Sequence, residues 1–173
     1  MKKTKNTYKI PVRKQDRSLI ISDPNAHSDF LEHGLDFLLP ENTEILASQK
    51  GEIVDVKVDS NKGGFEDKYM GNKYLNFITI KHSNEEYSQY AHLKHNGAKV
   101  KVGQKVKAGK VIGYSGNTGY SSAPHLHFHV LKINDSEVGW ETLKPKFDET
   151  FKVIRKDSDM TEKEKKILQE SMK

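Results

Sequence analysis

Apolar and polar residues alternate through the middle of this chain with the period of two that marks half-buried β-strands. Gly51–Val58 reads GEIVDVKV, Leu75–Lys81 reads LNFITIK, and Glu86–His92 and His125–Ile133 continue the pattern. A shorter strand is expected at Glu44–Ser48. Residues 1–28 are polar and punctuated by Pro11 and Pro24; they predict a short strand at most, near Ser18–Ile21, followed by a loop. Asn61–Asn72 reads as a loop bearing glycine and charge, and VKVGQKVKAGKVIGY, beginning at Val100, as two glycine turns. No helical period of useful length occurs before residue 158. Beyond it, Met160–Met172 has an apolar face of Ile167, Leu168 and Met172, and Thr161 and Glu164 have capping-box spacing. Trp140 and Phe147 are expected to close the core with a late strand. The pattern predicts an all-β, antiparallel, turn-rich body with a short C-terminal helix. It divides into an N-terminal extension (1–28), a β core (29–156) and a charged helical tail (157–173).

Composition narrows this picture. The 173 residues suit one domain with a tail, and are enough for a hydrophobic core that needs no staple. There is no cysteine, which excludes disulfides, thiolate metal sites and thiol nucleophiles; any metal must be held by His, Asp or Glu. No apolar run is long enough for a membrane-spanning helix, and the basic N-terminus lacks the apolar stretch of a secretory signal. The net charge of +5 comes from scattered lysines without a stripe, so a nucleic-acid partner is not expected. A monomer is expected.

The candidate chemistry lies in the eight histidines. His125, His127 and His129 alternate with Leu126 and Phe128, so on a strand all three imidazoles share one face. Three imidazoles make a poor apolar core but a good metal or acid–base surface near neutral pH. Taken alone, an exposed His-rich face is an equal reading.

The surrounding motifs alter that balance. Tyr90-Ala91-His92-Leu93 is followed by VKVGQKVKAGKVIG, then by Ser115-Gly116-Asn117-Thr118-Gly119-Tyr120-Ser121, and then by Pro124-His125-Leu126-His127-Phe128. With His33-Gly34-Leu35-Asp36-Phe37 upstream, this series resembles the lysostaphin/LytM-type zinc metallopeptidases, the M23 peptidase family, over about residues 30–133. The resemblance implies a compact barrel-sandwich (duplicated-hybrid-motif) β core with a groove and one zinc ion. It implies His127 and Asp36 as zinc ligands and His92 and His125 as catalytic histidines. The expected substrate is a peptide, in peptidoglycan cross-bridges or stem peptides, and the expected setting is the cell envelope or extracellular space. His129 reads as a surface histidine, with support of a neighbouring ligand as the alternative.

In one place the chain departs from the family. The first ligand should lie four residues before Asp36, where Glu32 stands. Glu32, His33 and His27 are the three replacements. His27 is preferred, because imidazole is the better zinc ligand and a loop is free to bend. If none serves, the alternative function is a catalytically degenerate LytM-type module that binds wall peptides or activates another hydrolase. A lipoyl- or biotinyl-type carrier shares the glycine-turn motif but needs an acceptor lysine with a flanking signature, and that signature is missing.

Overall fold

The computed structural model describes residues 2–173. Its strands are β1 (Lys3–Tyr8), β2 (Ile20–Ile21), β3 (Leu35–Leu38), β4 (Glu44–Leu46), β5 (Gly51–Lys57), β6 (Gly63–Gly64) and β7 (Phe77–Lys81). They continue with β8 (Tyr87–Ala91), β9 (Lys105–Val106), β10 (Val111–Tyr114), β11 (Gly119–Tyr120), β12 (His125–Ile133) and β13 (Trp140–Phe147), and α1 (Glu162–Ser171) follows. The main sheet has the order β1-β13-β12-β8-β7-β5-β9, with β2 paired to β3 and β3 to β12; β10 with β4, and β11 with β6, form two small ribbons. This is the mostly β architecture that the alternation predicts, and β12 begins and ends where the alternating run does.

The ninefold run of β12 is the spine. On one side its middle, from His127 to Leu131, pairs with β8. On the other side its first half pairs with β3 and its second half with β13. Leu126, Phe128 and Val130 point into the core with Phe37, Tyr90 and Ile78, while the opposite face carries the histidines. The late strand expected around Trp140 and Phe147 is β13.

The polar N-terminus holds a strand that hydrophobic periodicity does not predict. β1 runs parallel to β13, an exception to the antiparallel expectation, and so does the β6–β11 pair. Its sequence, KTKNTY, carries one large apolar side chain, Tyr8. The anchor is instead Glu86, only 1% exposed, which accepts hydrogen bonds from the Lys5 and Asn6 amides and the Tyr8 hydroxyl. Buried charge survives only when it is hydrogen-bonded, so the carboxylate and the strand require each other. At the other end, α1 has the expected capping box and packs Ile167 and Leu168 against Leu19, Leu38 and Ile154. Among the described residues no helix is long and apolar enough to cross a membrane.

Replacing Glu86 with Ala leaves three donors without their acceptor. Glu86→Ala should lower stability by about 2–4 kcal/mol in urea unfolding, with the loss of protection concentrated in the β1 amides by hydrogen exchange.

Candidate metal centre and histidine pair

The β3–β12 register opposes Asp36 to His127 and Leu38 to His125, and directly paired residues of an antiparallel ladder share a face. Asp36 Oδ1 therefore lies 2.9 Å from His127 Nδ1 and 3.7 Å from His125 Nε2. His27 arrives from the turn after β2. Its Nε2 is 3.1 Å from His127 Nδ1 and 3.3 Å from Asp36 Oδ2. Among the described residues, His27, Asp36 and His127 form the one group of three whose ligand atoms converge, all within 4.8 Å of one another. Glu32 is exposed, and His33 lies beside Lys144 and Arg155; partial burial lowers its pKa against the pull of Glu32, and those two charges add to the lowering. Neither belongs to the group.

Gly34 explains how His27 reaches the site. A Cβ there would sit 2.8 Å from His127 Cε1 and 2.9 Å from His27 Cδ2, so the two rings close over a residue that must lack a side chain.

His92 follows β8 with φ +61°, a left-handed conformation that turns its side chain back over the sheet. Its Nδ1 is 2.7 Å from the Thr118 carbonyl and donates to it, so Nε2 carries the lone pair. His125 Nδ1 is likewise 2.8 Å from the Ala123 carbonyl, leaving its Nε2 toward Asp36. The two rings stand 4.3 Å apart between centroids, and His92 is 6.2 Å from His127.

Burial, then the nearby His125 charge, push His92 down to about 3. Burial lowers His127 as well, against the opposing pull of Asp36. Burial alone would raise the Asp36 carboxyl. The His125 charge and the hydrogen bonds from His127 and His27 outweigh it and hold Asp36 well below the usual carboxylate range. At neutral pH the cluster is thus an ionised carboxylate among imidazoles, His92 and His127 being neutral.

His129 is not the surface residue expected. It is 2% exposed, its Nδ1 lies 2.9 Å from His127 Nε2, and burial holds its pKa well below the ordinary value. Trp140 stacks on it at 5.4 Å and 5°, and Phe30 meets Trp140 edge-on at 5.1 Å. Alternation places His129 on the ligand face, but nothing local foretells Trp140, which comes from β13. The tyrosines are structural where buried: the Tyr90 hydroxyl serves Ser48 and Ser88 inside the core. At the surface, Phe65 is 67% exposed and stacks on Tyr120 at 4.9 Å.

On the sheet face opposite the core, two imidazoles and a carboxylate whose donor atoms converge could hold a metal ion beside a second histidine pair. The family model described as Peptidase family M23 matches residues 31–139, more than half of the chain, and the chain belongs to that family. His27 stands just before the matched stretch. An uncharacterized metalloprotease of Buchnera aphidicola subsp. Baizongia pistaciae is 36% identical over 127 residues, covering 70% of this chain and 30% of its own length. Lysostaphin of Staphylococcus simulans is 42% identical over 99 residues, covering 57% and 17%. Among solved structures, a zinc containing peptidase from Vibrio cholerae is similar with a TM-score of 0.52 at 28% identity, covering 72% of this chain and 36% of that one. A mutant catalytic domain of the prophage-encoded M23 protein EnpA from Enterococcus faecalis gives 0.51 at 25% identity, covering 75% and 87%. The chain spans less than a third of the length of the curated relatives it matches.

Two outcomes follow from this geometry. Gly34→Ala overpacks the two rings and should lower stability by about 1–3 kcal/mol in denaturant unfolding. In chelator-treated protein the folded state refuses a proton at His92 that an unfolded histidine, near 6.5, accepts. Stability is then fully present above about pH 6.5 and declines as the pH falls through and below it, by up to about 1.4 kcal/mol per pH unit for that residue. The urea midpoint should be lower at pH 5.5 than at pH 7.5, and lower by less in His92→Gln.

Proposed function

We propose that this chain is a zinc metalloendopeptidase that hydrolyses peptide bonds in bacterial wall peptidoglycan, with His27, Asp36 and His127 holding the metal. The convergence of these three donor groups carries the reading. Two imidazole nitrogens and one carboxylate oxygen make a common catalytic zinc set, which leaves a position for water or substrate. The donors fit the ion on their own chemistry: His127 is neutral, Asp36 ionised, and Gly34 keeps the space between the rings free. Bound zinc supplies Lewis acidity, acidifying water and polarising the scissile carbonyl.

The chain's own groups do the rest. Neutral His92, fixed through Nδ1 on the Thr118 carbonyl, offers its Nε2 lone pair to the attacking water and takes up its proton. With Nδ1 donating to the Ala123 carbonyl, His125 turns Nε2 toward Asp36 and acts as a donor there once that nitrogen also carries a proton. In that form it can donate to the developing oxyanion and return a proton to the leaving amine. The substrate class is supported by the names of relatives, among them the peptidoglycan DD-endopeptidase ShyA of Vibrio cholerae and the glycyl-glycine endopeptidase ALE-1 of Staphylococcus capitis. The exposed Phe65–Tyr120 pair beside the Gly63–Gly64 strand gives a groove wall on which an extended peptide can lie.

Elemental analysis of protein purified without chelator or nickel should give one zinc per chain, lost in His27→Ala and retained in Glu32→Ala and His33→Ala. Release of soluble peptides from purified peptidoglycan should stop on chelation and return with zinc. His92→Ala and His125→Ala should each keep the zinc while losing about 10²–10⁴-fold in rate. Zinc binding with no cleavage of any cross-linked wall would replace the peptidase by a wall-binding module, and no zinc at all would remove the metal reading.

A further inference from the structure

His127 turns Nδ1 toward Asp36 and His27, so a metal held there needs the lone pair on Nδ1, and the ring's single proton must then sit on Nε2. Nε2 is 2.9 Å from His129 Nδ1 and is buried. Only an acceptor at that point is compatible with a proton on His127 Nε2. His129 Nδ1 must therefore be bare and its own proton on Nε2, an atom that is buried and has no hydrogen-bond partner. An imidazole left half-satisfied in the core costs stability, so its presence calls for a compensating use.

We propose that His129, held flat by Trp140, is a positioning residue that locks His127 in the tautomer and ring orientation required to bind the metal. The Trp140 ring lies nearly coplanar over His129, which stops the ring from tilting out of line with His127. Phe30, three residues after His27, packs edge-on against the same indole. One aromatic stack thereby ties the loop carrying His27 to the support of His127. Metal-bound histidines in general depend on such a partner at the second nitrogen, and its loss weakens metal binding by about 10–100-fold. This role rests on the zinc reading above.

The test is zinc affinity, measured by competition with a chromophoric chelator on wild type, His129→Leu, His129→Gln and His27→Ala. His129→Leu should bind zinc about 10–100-fold more weakly, while its metal-free form melts near the wild-type temperature, because the orphaned His129 Nε2 is exchanged for an unpartnered His127 Nε2. A merely structural histidine would show the reverse: lower metal-free stability and unchanged affinity. His129→Gln, which can still accept through its amide oxygen, should recover most of the affinity. Imidazole ¹⁵N shifts of zinc-loaded wild type should show both His127 and His129 protonated at Nε2. Wild-type affinity in His129→Leu, or a proton on His129 Nδ1, overturns the proposal alone. Wild type binding no more zinc than His27→Ala overturns it together with the zinc reading.

Discussion

The site depends on one register, the pairing of Asp36 with His127 across β3 and β12. Side chains alternate along a strand, so a slip of one residue would send Asp36 into the core and bring Leu35 or Phe37 to the ligand face. The slip is prevented on the other side of the sheet. Leu35 and Phe37 are buried with Leu126 and Phe128, and the Phe37 and Phe128 rings meet edge-on at 6.4 Å. The hydrophobic face thus holds the polar face in alignment. The same strand then supplies His125 and His129 at intervals of two, so one ladder places three imidazoles at a regular spacing without any loop.

Burial gives those imidazoles their chemistry. In water, histidines so near one another would compete for protons around neutral pH. Here desolvation disfavours the charged forms of His92, His127 and His129, while the histidines around Asp36 keep its carboxylate ionised against the same burial. Three of the nitrogens not turned to the site have a fixed neighbour: Thr118 for His92, Ala123 for His125, His129 for His127. The carbonyls come from the Gly- and Ser-rich turns before β12. These turns therefore set proton positions as well as shape.

Much of this was open to reading in the sequence, for a physical reason. A strand with one face toward the core writes itself as alternation, so β12, β5 and the shared face of the three histidines could be read directly, and the motifs pointed to the family. Two kinds of feature could not be. β1 is held by hydrogen bonds to a buried glutamate 80 residues away, and KTKNTY carries no hydrophobic signal of that. His129 looked exposed because the ring that covers it, Trp140, belongs to a strand beyond the motifs. His27 lay between: its chemistry favoured it over Glu32 and His33, but its place beside Asp36 depends on Gly34 and on the path of the chain after β2.

That path has a consequence for how the protein is made. The segment leading to His27 is held by Ile154, whose amide and carbonyl bond to Ile20 and Ser22, and by Phe30 against Trp140. A residue near the front of the chain is thus fixed by contacts with residues more than a hundred positions later. During synthesis the ribosome must deliver residues 140–154 before His27 can take its place, and such long-range closure is slow. The emerging chain can form the hairpins of its central strands in sequence, yet His27 can join Asp36 and His127 only after residues 140–154 have been made.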